Sequence, residues 1–159
     1  MRSALGDLRA GRLTLDAWTL SMRQSIKLTH LWSAALAKGG WAQLTASDYG
    51  VVGQTVRFHY QRLDRMAQQI AQGLPLDGRV TVRVEMYAEA ARKTYHDIEF
   101  RVIQSSTNFT EERNVIDPLA EHCAECDQAS AVGWVPLGTL PRPGYRTCLT
   151  NCRCRMEYR

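Results

Sequence analysis

"DGRVTVRVEMYAEAARKTYHDIEFRVIQSS", residues 77–106, decides the architecture, because its first third reads two ways. Val80, Val82 and Val84 alternate as one face of a strand does, and β-branched residues favour strands. Val80, Val84, Tyr87, Ala91, Tyr95, Ile98 and Val102 also recur at helical three- and four-residue steps. The helical pattern is the longer, so the stretch is predicted as a helix.

Working back from it, "RLTLDAWTLSMRQSIKLTHLWSAALAKGG" (12–40) offers Thr14 as N-cap and Gly39-Gly40 as stop. Leu15, Trp18, Met22, Ile26, Thr29-His30 and Ala34–Leu36 form its apolar face. Residues 41–75 repeat the logic, with Thr45 or Ser47 as cap. Val52, Val56, Tyr60 or His59, Leu63, Met66-Ala67 and Ile70 make the face, and Gly73 is the stop. Gly50 and Gly53 weaken the first turns of that helix, which predicts a close helix approach there. Trp18, Trp32 and Trp41 are expected in the core and connections. The expected fold is therefore mainly α, an elongated bundle of three long helices with short antiparallel connections over residues 1–106.

Working forward, helical periodicity stops after Ser105-Ser106. "ERNVIDP" (112–118) and "CRCRMEYR" (152–159) read as short strands around the turn-rich "GWVPLGTLPRPGY". Residues 107–159 are predicted as a small C-terminal α+β or β-hairpin unit. All five cysteines lie in it, as Cys123-x2-Cys126 and Cys148-x3-Cys152-x-Cys154. Two thiols three apart reach one ion from a single turn, and a second group brought in by a hairpin completes a tetrahedral thiolate shell. Soft thiolates select zinc, with iron or an iron–sulfur cluster as the lesser fit. The regular quartet is Cys123, Cys126, Cys148 and Cys152, but Cys152 with Cys154 could release Cys148, and His122 could replace a thiol. A unit this small needs such a staple.

The chain has 159 residues, 45 % hydrophobic and 23 % charged, with a formal charge of +4, which suits a folded protein. The first cysteine segment is acidic (Glu111, Glu112, Asp117, Glu121, Glu125, Asp127), and the tail is basic (Arg142, Arg146, Arg153, Arg155, Arg159). Folded together, they would neutralise one another. No signal-peptide core or membrane-spanning run is present in the sequence, so a soluble protein of cytosolic origin is expected.

Catalytic alternatives are poorly furnished. The zinc deaminase pattern of His-x-Glu followed by Pro-Cys-x-x-Cys is missing, and pairing Cys154 with His96 or His30 as a nucleophile would be arbitrary. A zinc-containing nucleic-acid-binding regulator is the stronger rival, with the tail arginines beside Trp134, Tyr145 and Tyr158. Neither the second nor the third helix carries a lysine-arginine stripe to extend that surface.

The C-terminal forty residues resemble the end of the minor head, or head-morphogenesis, proteins of tailed phages, the family typified by the phage Mu F protein. The resemblance is carried by Cys123 and Cys126, Gly133-Trp134, Leu140-Pro141 and the run Asn151-Cys152-Arg153-Cys154 leading into Met156. Many members have a histidine shortly before that run, where this chain has Cys148. The resemblance implies a non-enzymatic virion component of the head interior or portal vicinity, made in the host cytoplasm. It would act in head assembly, DNA packaging or ejection. Its implied partners are a portal or capsid protein, further copies of itself, and packaged DNA through the basic tail.

Overall fold

The computed structural model describes all 159 residues and opens with a helix that no periodicity announced, α1 (Arg2–Arg9). One buried side chain, Leu5, anchors it to the core. α2 (Leu15–Lys38) follows, capped where expected: the Thr14 hydroxyl accepts from the Ala17 N–H at 3.2 Å, and Gly39 ends it at φ 85°. A 3-10 turn (Trp41–Gln43) leads into α3 (Ala46–Ala71). Thr45 is its cap rather than Ser47, because Asp48 reciprocates by accepting from the Thr45 N–H at 2.9 Å.

The ambiguous stretch is helical but in two pieces, α4 (Gly78–Glu89) and α5 (Ala91–Ser105). The third long helix is thus corrected to two shorter ones meeting at Ala90. Ala90 and Ala91 are both buried, and their small side chains let the chain bend without losing contact. α5 then runs along α2, while α4 turns towards α1. Arg9 fastens that end by donating to the Leu76 and Asp77 carbonyls at 2.7 and 2.8 Å.

Trp18, Met22, Ile26, Leu63, Met66, Val80, Val84 and Ile98 form one core, as the helical steps required. Val82, which the strand reading would have buried with its neighbours, is exposed. Two expectations fail. Leu36 is 70 % exposed, and Trp32 stands on the outside of α2 instead of filling the core, edge to face at 4.9 Å with Trp41, which lies in the α2–α3 connection as expected. Leu36 and Trp32 lie outside the stripe that α3 and α5 cover.

Gly50 and Gly53 face open space, since a Cβ at either would meet nothing within 4 Å. No close helix approach needs them, so they cost helix propensity without packing return. Gly50→Ala and Gly53→Ala should each stabilise the protein by about 1 kcal/mol, measured by chemical denaturation. An unchanged or lowered midpoint for both would restore a packing role for these glycines.

The C-terminal unit holds β1 (Glu111–Val115), α6 (Ala124–Ala131), β2 (Val135–Pro136), a second 3-10 turn (Leu149–Asn151) and β3 (Arg155–Tyr158). The strands form a three-stranded antiparallel sheet in the order β2-β1-β3, with Glu112 opposite Val135 and Asn114 opposite Met156. The expected hairpin is corrected: β1 is central, and both neighbours return to it from later in the chain. Several contacts set this unit on α5. Arg92 donates to the Cys152 carbonyl at 3.2 Å, and Gly144, at φ 90°, crosses so close that a Cβ would lie 2.8 Å from Cβ of Lys93.

Candidate metal centre

Cys123 is the residue before α6 and Cys126 lies in its first turn, which brings their sulfurs to 3.5 Å. The loop over α5 returns Cys148 to 3.5 Å and Cys152 to 3.9 Å from the Cys126 sulfur. Cys123, Cys126 and Cys148 form one triad and Cys126, Cys152 and Cys154 another, with sulfurs in each triad within 4.8 Å of one another. Cys126 belongs to both. The five expected cysteines are therefore gathered in one place, and Cys126, Cys152 and Cys154 are buried.

The spacing fits a metal better than a disulfide. A disulfide needs sulfurs about 2.05 Å apart. A tetrahedral site with Zn–S bonds of about 2.3 Å has S–S edges of about 3.8 Å, close to the separations around Cys126. As thiols among thiols most of the set resists ionisation. Burial and the neighbouring sulfurs push Cys148 up, and Cys154 up to about 12. Burial acts against Cys152 too, but the Cys154 N–H and the surrounding thiols hold it below the ordinary thiol range. A divalent cation bound here would offset the cost of ionising them and take all its ligands as thiolates.

Arg146 is the residue the spacing of cysteines could not reveal as part of this site. It is 1 % exposed, yet no carboxylate touches it. Its guanidinium donates to the Pro141 carbonyl, to Asn114 Oδ1 at 2.7 Å and to the Cys126 sulfur at 3.6 Å. Asn114 in turn donates to the Cys126 carbonyl at 3.2 Å. A buried cation needs an anion, and a metal-bound thiolate cluster would place one beside it, in addition to the Glu125 carboxylate that its charge already reaches. β1 supplies this layer because its alternation turns polar residues inward. Glu112 and Asn114 are both buried, and Glu112 accepts from the Leu140 N–H at 2.7 Å, holding the Leu-Pro segment.

Glu125, inside the knuckle, accepts from the Thr147 N–H at 2.7 Å and so ties the two cysteine groups together. That hydrogen bond holds its carboxyl below the usual range. His122 lies outside both triads. The histidines weighed as nucleophile partners are engaged elsewhere: His30 meets Thr94 at 2.6 Å in the helical core, and His96 meets Glu99 at 3.1 Å. Burial pushes His30 down to about 3, which keeps it neutral.

The basic tail is largely paired. Arg153 reaches Glu89 at 2.8 Å, Arg155 reaches Glu157 at 2.9 Å and Arg159 reaches Glu111 at 2.7 Å. Trp134 has the guanidinium groups of Arg113 and Arg159 over its ring, and Lys93 sits 3.8 Å from the Tyr145 ring centre. The cysteine cluster could hold a metal ion, and the surrounding charges serve the fold. No helix is long and apolar enough to cross a membrane. No protein-family model, no curated protein and no solved structure matches the chain.

Proposed function

We propose that the protein is a non-enzymatic head-morphogenesis component of a tailed phage, with its C-terminal unit stapled by a structural zinc. The observation that carries the reading is the closed sulfur cluster sharing Cys126, with Arg146 buried against it. Five protein thiols leave no need for water as a ligand, and open coordination is what zinc catalysis requires. Cysteines alone suit zinc among common divalent ions. The phage assignment rests on the Asn151-Cys152-Arg153-Cys154 run and its partner knuckle.

A docking surface accompanies the staple. Leu28, Trp32 and Leu36 are all more than half exposed and follow one another at steps of four along α2, with Trp41 against Trp32. Such a stripe suits a portal or capsid protein. The rival assignment, a zinc-containing nucleic-acid regulator reading through Arg153 and Arg155, finds those side chains paired with Glu89 and Glu157.

Co-expression with portal and capsid proteins tests the assembly reading. The protein should copurify with assembled particles, and Trp32→Glu with Leu36→Glu should lower its recovery at least tenfold while leaving its own melting unchanged. A protein that stays unassociated with particles and portal would overturn the head role. Elemental analysis then judges the staple separately, with about one zinc per chain expected.

A further inference from the structure

α3 carries Arg57, Arg62 and Arg65, and α4 carries Arg79 and Arg83, too few on either helix for a stripe. The fold sets four of these five around one groove. Three adjoining clefts, of about 380, 370 and 530 Å³, run along α3. The first and second share His59 and Arg62, and the second and third share Gln69 and Arg83. Lys93, Arg62, Arg65, Arg83 and Arg79 line the three, and no carboxylate does.

Two of the five are already paired, Arg79 with Asp77 at 2.8 Å and Lys93 with Asp97 at 2.8 Å, so the uncompensated charge of the groove is that of Arg62, Arg65 and Arg83. Arg62 is engaged only with the Phe58 ring, Arg65 is exposed, and Arg83 donates to the Gln69 amide at 2.9 Å. The local field is positive enough to act on His59: burial, then Arg62 and Lys93, push its pKa down to about 4. At one end of the groove Phe58 is 49 % exposed, with the Arg62 guanidinium 4.4 Å from its ring centre and Leu149 on the same cleft.

We infer that this groove binds single-stranded nucleic acid, with Arg62, Arg65 and Arg83 on its phosphates and a base stacked at Phe58. Guanidinium groups match phosphate geometry, and an aromatic face beside a cationic track is how sequence-tolerant strands are held. An acidic peptide would use the cations but has no need of the aromatic ledge. A duplex is read by a protruding element entering its groove, whereas these cations lie in a recess. The lining from Thr55 to Gln72 spans about 26 Å of α3 at the standard rise, room for several nucleotides. The cations sit on the helical part, so this inference stands apart from both the metal and the head assembly.

Fluorescence anisotropy with labelled dT12 at stepped salt, using metal-loaded full-length protein, tests it. Binding should weaken with salt, and Arg62→Gln/Arg65→Gln/Arg83→Gln should lower the logarithmic salt slope by about 2, at about 0.7 per phosphate contact. Phe58→Ala should weaken binding about fivefold or more. Arg153→Gln/Arg155→Gln should leave it unchanged. Far-UV circular dichroism checks folding, and the single exposed change Arg65→Glu gives a second reading should the triple variant unfold. Parental affinity in the groove variants, absence of dT12 binding at low salt, or displacement by oligoglutamate as effective as by unlabelled dT12 would each overturn the assignment.

Discussion

Cys126→Ser is expected to strip the protein of metal and unfold the C-terminal unit, while leaving the helical part intact. Cys126 is the one sulfur common to both triads, so its loss breaks both at once. It is also buried, and its carbonyl holds Asn114. In finger peptides a structural zinc supplies about 10 to 16 kcal/mol of apparent binding at neutral pH, and binding to such a site is folding. That is as large as the whole stability of an ordinary domain. The same change at Cys123 or Cys154 removes one triad only and should cost less, since a fifth thiol remains to substitute. Elemental analysis of each variant, with limited proteolysis mapping where cleavage begins, separates the cases. Full metal retention in Cys126→Ser would refute the shared-corner geometry, and equal loss in every single variant would mean that no thiol is spare.

The helical part was largely legible because its signals are local. Thr14 and Thr45 cap, Gly39 stops, and the three- and four-residue steps from Trp18 to Ile98 pick out the core. Failures came where position depends on what lies across the molecule. Nothing local marks Leu36 as outward and Ala35 as buried; the placement of α3 and α5 decides it. α1 was missed because eight residues with one buried side chain carry little periodicity, and its fastening through Arg9 is a long-range contact. The break at Ala90 leaves no Gly or Pro in the sequence to announce it.

The metal centre divides the same way. Cysteine spacing exposed the ligand set, but Asn114 and Arg146 read as ordinary strand and tail residues. A polar residue at an alternating position signals the solvent face, and in β1 the inward face is the polar one. The rule fails because the sheet covers a charged cluster rather than an oily core. Charge asymmetry along the chain was a better guide, since Arg159 and Glu111 pair across the sheet as expected of segments that fold together. The cationic groove was invisible for a related reason: its arginines come from separate helices, and only their juxtaposition gathers the field.

Arg146→Met is expected to weaken metal binding by about tenfold to a hundredfold, the usual cost of losing a residue that supports the ligands. It should also lower the stability of the metal-loaded protein by about 3 to 5 kcal/mol, as breaking a buried charge pair does. Methionine keeps much of the volume and apolar stem while removing the charge and the donors to Pro141, Asn114 and Cys126. The two charges should be coupled. Four thiolates around a divalent cation carry a net negative charge that the guanidinium offsets, so Arg146 belongs to the loaded state. With metal removed by chelation and the thiols reprotonated, the buried guanidinium loses the thiolate charge and becomes a liability. Arg146→Met should then cost far less, or even stabilise what structure remains. Denaturation of parent and variant, each with and without chelator, gives a double cycle that isolates this coupling. A cost that is equal in both metal states would show that Arg146 serves only the hydrogen bonds of the loop, and the electrostatic account of the site would fail.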